Sequence, residues 1–253
     1  MKIKKYALLV LLAGAATVCS LILLFIMSGG SIAHPMEYPN KQGFEQAVIW
    51  FEIIRSPDEV QQVLGDPSTS EGIALRRVVD TINTYDFIFM ICYPLLFAAL
   101  IVFVHAILIN KGYRVPYGRM LIIIGLVLSA IMLLGDAYEN VQLFKISAYK
   151  NISDIKPEII TTLQVATRIK NVPIFLSSLI LTYLYILYFR KSLGILLPGI
   201  YCVSALLGFV AISVGSARFL IEAAYSISFV AWLISIVHGG IWYVRSRKDA
   251  SLA

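Results

Sequence analysis

Residues 86–109 read DFIFMICYPLLFAALIVFVHAILI. Asp86 opens the run, His105 lies near its far end, and no charged side chain falls between them. About 20 apolar residues let an α-helix cross the hydrocarbon core of a bilayer, because helical backbone groups satisfy one another where water is absent. Pro94 lies inside the run, which membrane helices tolerate. The stretch predicts a membrane-spanning helix with an acid at one mouth.

Five further runs are of the same kind: 6–27, 120–134 with its helix continuing to 144, 172–189, 193–214 and 221–244. Hydrophobic residues make up 59% of the 253 and charged residues 14%, with a mean hydropathy of +0.82. A soluble domain carries about 25% charged residues, so lipid must cover much of this apolar surface. The fold expected is all-α, an integral membrane bundle of six transmembrane helices with a small extracytoplasmic helical subdomain. The 6–27 run exceeds the roughly 7–15 apolar residues of a cleaved signal peptide, so residues 1–27 read as an uncleaved signal anchor. Residues 28–84 read as an extracytoplasmic amphipathic segment, and 85–253 as a five-helix membrane region.

Within 28–84 the local signals are helical. Residues 42–55 carry Phe44, Val48, Trp50, Phe51 and Ile54, and read as one helix. Ser56-Pro57-Asp58-Glu59 is a helix start, with Ser56 as cap, proline in the first turn and Glu59 completing a capping box. Gly65 ends that helix and 68–70 begin another, along which Leu75, Val79 and Ile82 form a stripe. The stripe reaches Asp86 if the helix is unbroken.

Charge orients the bundle. With the N-terminus cytoplasmic, Lys2, Lys4, Lys5, Lys111, Arg114, Arg119, Arg190, Lys191, Arg245, Arg247 and Lys248 all fall on the cytoplasmic side, facing the single acid Asp249. That is the asymmetry of the positive-inside rule, and it places both termini in the cytoplasm. The net charge of +6 reports topology, and no nucleic-acid-binding pattern accompanies it. Cys19, Cys92 and Cys202 lie far apart in apolar runs and read as small buried hydrophobes, with no disulfide.

The chemistry-bearing residues gather at one depth. Seventeen residues separate Arg119 from Asp136, which at 1.5 Å per residue lifts Asp136 about 25 Å above the cytoplasmic end. Asp136, Glu139 and Asn140 share a helix face. Asp86, Arg168, Lys170, Arg218 and Glu222 lie at the same level, with Tyr93 two turns below Asp86. The candidate polar site is therefore Asp86, Tyr93, Asp136, Glu139, Asn140 and Lys170. Asp86, Asp136 and Glu139 are the candidate ligands for a hard cation, and Lys170 with Arg168 suits a phosphate or carboxylate. A structural ion-pair network is the plain alternative, since ionisable groups at membrane depth need partners whatever their purpose. His105 and His238 read as histidines bonded to a neighbouring helix, and His34 carries no signal.

The order Glu52, Ser56-Pro57-Asp58-Glu59, Asp86-Phe87, Phe89, Tyr93, Asp136-x-x-Glu139-Asn140 and Lys170 resembles uncharacterised bacterial multi-pass membrane proteins with a D-x-x-E-N signature. The resemblance covers roughly 45–185. It implies a bacterial inner-membrane setting and no particular activity. The functional expectation is a polar pocket near the extracytoplasmic surface, open to membrane lipid, a lipid head group or a small molecule, with no cofactor assigned. An outer-leaflet lipid-processing or metal-dependent enzyme, a small-solute transporter and an assembly partner are the alternatives.

Overall fold

The fold is seen in a computed structural model that describes residues 2–27, 43–189 and 195–251, with side chains for 3–27, 43–189 and 195–246. His34, Gln42, Arg190 and Lys191 lie outside the described residues, as do the side chains of Lys2, Arg247, Lys248 and Asp249.

Among the described residues every regular element is helical. In chain order they are α1 (Lys2–Met27), α2 (Ala47–Glu52), α3 (Pro57–Leu64), α4 (Ser70–Asn110), α5 (Gly118–Ser147), α6 (Pro157–Tyr188), α7 (Leu196–Ser213) and α8 (Leu220–Ser251). α1, α4, α5, α6, α7 and α8 are each long and apolar enough to cross a membrane. The protein is a multi-pass, all-α membrane bundle.

The six long helices close a ring. α1 packs on α4, α4 on α5, α5 on α6, α6 on α7, α7 on α8 and α8 back on α1, while α4 also touches α6. Large apolar side chains face outward around it, among them Leu12, Ile123, Leu134 and Val237, which are 59–69% exposed. Water would not tolerate such a surface, whereas lipid covers it. Tyr93, Phe97, Phe175, Tyr185 and Tyr201 fill the interior. One end of the bundle holds the start of α1, the end of α8 and the α4–α5 turn. The other is covered by α2 and α3, and is called the cap end below.

Several elements differ from the sequence reading. The helix expected over 42–55 shrinks to the six residues of α2. Just before it, the N–H groups of Glu45 and Gln46 donate to the Glu222 carboxylate of α8, and Gln46 makes no side-chain cap. α4 runs without a break across residues 84 and 85, and it passes through Pro94. Its first turns belong to the helix that enters the membrane, because Val79 and Ile82 are buried and Arg76 donates to the Ser147 carbonyl ending α5 (2.8 Å). The polar stretch 145–170 between the third and fourth apolar runs is mostly helix, since α5 reaches Ser147 and α6 begins at Pro157. Proline and Glu158 in the first turn are a start signal of the same type as at Ser56. Cys19 is exposed on the bundle surface and not buried, and all three cysteines are free.

The capping box at Ser56 is half made. Ser56 Oγ accepts from the Glu59 N–H (3.3 Å). The Glu59 carboxylate accepts from the Arg55 N–H (3.2 Å), one residue earlier than a capping box requires. The Arg218 guanidinium draws it there, holding both its oxygens at 2.7 and 2.9 Å.

Candidate functional site

Lys170 is the centre of the polar cluster. Its position depends on Gly135, where α5 and α6 approach so closely that a Cβ would lie 2.7 Å from the Lys170 backbone nitrogen. With no side chain between them, the two helices bring Lys170 against the α5 face that carries Asp136 and Glu139. The ammonium Nζ lies 2.8 Å from Glu52 Oε2 and 3.6 Å from Asp136 Oδ1, and it also contacts the Glu139 carboxylate. Glu139 is fully buried, Asp136 and Lys170 nearly so. Such charges persist at membrane depth only through mutual pairing.

Two hydrogen bonds extend the cluster to α4. Tyr93 Oη donates to Asp136 Oδ2 (2.9 Å). Asn140 Nδ2 donates to Asp86 Oδ2 (2.9 Å). Asp136, Glu139 and Asn140 thus use one face of α5 for three partners: the phenol, the ammonium and the second aspartate.

Glu52 comes from outside the membrane helices, at the last turn of α2. Three side chains fasten the chain just there. Thr167 Oγ1 donates to the Glu52 carbonyl (2.9 Å), Arg218 Nη1 to the Ile53 carbonyl (3.1 Å) and Gln164 Nε2 to the Ile54 carbonyl (3.2 Å). These carbonyls follow a helix end and have no intrahelical partner, so α6 and the α7–α8 turn supply donors. The carboxylate of Glu52 is carried down onto Lys170 as a result. Burial raises its pKa above the ordinary value, and the adjacent Lys170 ammonium opposes the rise.

Beside the cluster lies a cavity of about 460 Å³ bounded by α1, α2, α4, α5, α6 and α8. Leu24, Phe25, Ile49, Phe89 and Phe229 are among its apolar walls. Glu52, Asp86, Asp136 and Glu222 are its acids and Lys170 its base. The stacked rings of Tyr93 and Trp232 (centroids 6.1 Å apart) lie toward the bundle interior, and Phe97 packs edge-on against Trp232. Small-ligand sites commonly have this form, apolar walls with a few convergent polar groups.

Of the residues expected at the site, Asp136, Glu139 and Lys170 are in direct contact. Tyr93 touches Asp136, and Asp86 joins through Asn140. Asp86, Asp136 and Lys170 line the cavity, while Glu139 lies behind them. Asp86, Asp136 and Glu139 do not converge as a metal-ligand set. Among the described residues no group of three or more His, Cys, Asp or Glu side chains is arranged to hold a metal. The Lys170 ammonium stands between the carboxylates where a cation would sit. Arg168 belongs elsewhere. Two residues on a helix are about 200° apart, so it points away from Lys170. Glu52 and Glu222 join the expected site residues at the cavity, Glu222 from the level the sequence assigns it. Glu52 lies in a polar segment whose placement no membrane periodicity reveals.

No protein-family model, curated protein or solved structure matches this chain. The functional reading therefore stands on the geometry.

Proposed function

We propose that the protein is a bacterial inner-membrane protein whose cap end faces away from the cytoplasm and holds a binding pocket for an amphipathic molecule with a cationic or proton-rich polar end. One observation carries this reading: a cavity with apolar walls leads to four acids and a single base. Buried like charges without enough partners are costly, so the surplus of carboxylates calls for protons or a cation from outside. A ligand amine can supply the charge while its chain lies along Phe25, Ile49 and Phe229. Asp86 is the acid best placed to meet it, since Lys170 contacts the other carboxylates of the cluster and backbone N–H groups hold Glu222. Below Tyr93 and Trp232 the interior is packed with buried Phe97, Leu100 and Phe103. That favours a one-sided pocket over a path through the membrane.

The reading is tested with purified protein in maltoside detergent, by thermal unfolding with dodecylamine, dodecanol or dodecyl sulfate below their micellar concentrations. Dodecylamine is expected to raise the midpoint for the wild type and not for Asp86→Asn, with dodecanol weaker and dodecyl sulfate inactive. Equal shifts from amine and alcohol, or a shift that survives Asp86→Asn, would overturn it.

A further inference from the structure

Apart from the carboxylate pocket, three arginines line one notch together with Ile53, Ala211, Ile212 and Ile221. The arginines are Arg55 from the α2–α3 connection, Arg168 from α6 and Arg218 from the α7–α8 turn, with Gln164 and Thr167 beside them. The notch measures about 40 Å³. That is about three times the space one water needs, the scale of a single tetrahedral oxyanion. Arg218 is engaged with Glu59 through both carboxylate oxygens. Among the described residues neither Arg55 nor Arg168 has an acid within ion-pair distance. Among the described residues, Glu59 is the one carboxylate within ion-pair distance of any of the three arginines. Burial, and next the Arg218 cation, lower the pKa of Arg55 from the ordinary arginine value; the Glu59 carboxylate opposes this and Arg168 adds to it.

The notch also has a fixed wall. Gly215, in the 3₁₀ turn Gly215–Ala217, lies directly under the Arg55 guanidinium, and a Cβ there would be 2.0 Å from Nη1. Arg55 is thereby seated against backbone instead of swinging free in solvent. Apolar side chains next to the notch residues in sequence face outward: Val165 on α6, Val210 on α7 and Val214 just after it are 42–46% exposed. Charge and apolar surface meet there as they do at a lipid–water boundary.

We infer that this notch is a phosphate-binding site, recognising a phosphate monoester or diester through the planar guanidinium groups of Arg55 and Arg168. Guanidinium forks match phosphate oxygens in bidentate geometry, and such charge-assisted bonds are strong. The phosphate comes either from a phospholipid head group, with its chains along the α6–α7 surface, or from a free phosphate in the water phase. The site is independent of the carboxylate pocket, from which Glu52 and Thr167 separate it.

The test is a binding titration of the purified protein in maltoside with three probes: inorganic phosphate, phosphatidylglycerol and phosphatidylglycerol's uncharged counterpart diacylglycerol. Phosphate-bearing probes are expected to bind the wild type, and Arg168→Gln and Arg55→Gln each to weaken them about tenfold. Both side chains are exposed, so the variants should keep the wild-type unfolding midpoint. Gly215→Ala, which displaces Arg55, should weaken binding as well. Asp86→Asn should leave it unchanged, which separates this site from the amine pocket. Binding of phosphatidylglycerol without inorganic phosphate identifies the lipid as the source, and binding of both identifies the phosphate group alone. The inference is overturned if neither phosphate probe binds, if diacylglycerol binds as well as phosphatidylglycerol, or if both arginine variants bind like the wild type.

Discussion

Two lysines at opposite ends of the bundle are held in different ways. Lys170, at the cap end, is nearly buried and meets three carboxylates from α2 and α5. Lys111, just past the end of α4, is exposed and meets none among the described residues. Its ammonium lies over the rings of Tyr188 (4.3 Å) and Trp242 (5.7 Å). Those rings are tied to His238, whose Nε2 accepts from Trp242 Nε1 at 3.1 Å. The cap end thus spends its polar groups on pairing charge with charge. The terminal end shields an aromatic cluster with a cation that remains in contact with solvent. The difference follows from solvation. A buried ammonium needs carboxylates because nothing else replaces its water, whereas an exposed one keeps its water and gains only the modest attraction of a ring face.

The contrast between the ends is broken outright if they face the membrane the other way. Alkaline phosphatase fused after residue 60 should be active and fused after residue 115 inactive, a difference of nearly the whole signal. The opposite pattern would put the carboxylate pocket on the cytoplasmic side and end the proposed setting.

A smaller effect compares the lysines themselves. Lys170→Met should lower stability by about 3–5 kcal/mol, because it leaves buried carboxylates without their partner. Lys111→Met should cost about 0.5–1 kcal/mol, the worth of an exposed cation over a ring. Denaturation of both variants in one detergent measures the gap. Equal losses would show that Lys170 is not the electrostatic centre of its end.

The smallest effect sharpens the comparison through pH. The pKa of Glu52 is raised in the fold. The folded state therefore holds this proton more tightly than the unfolded chain does, and the associated stability is present in full below the ordinary carboxyl value of 4.5. It is lost as the pH rises from there through the raised value. Glu52→Gln should flatten that part of the profile of unfolding midpoint against pH, while Lys111→Met leaves it in place. Parallel profiles for wild type and Glu52→Gln would remove Glu52 from the coupled cluster.

How much of the site could be read in advance differs from residue to residue. Asp136, Glu139 and Asn140 share a face by helical arithmetic alone, so their common direction was legible. The opposite facing of Arg168 and Lys170 was equally available from their spacing. The helical start at Pro157 shared proline and an acid in the first turn with the start at Pro57, but Lys156 stands where Ser56 supplies the cap, so its signal was weaker. Glu52 was not legible as a member of the cluster. Its place depends on Thr167, Gln164 and Arg218, which are distant in sequence and converge only when α6 and the α7–α8 turn pack beside α2.

The amino-acid sequence by itself determined that this chain is a bundle of membrane helices with polar groups collected at one depth. Both properties are local: a long apolar run must span, and the 1.5 Å rise of a helix converts residue number into height. Only the tertiary structure decided which of those groups meet. Contact across helices depends on their rotation and closeness, here set by the absent side chain of Gly135, and on the cap that lowers Glu52 onto Lys170. Neither is contained in the periodicity of any single helix, because each arises from surfaces that become neighbours only when the ring closes.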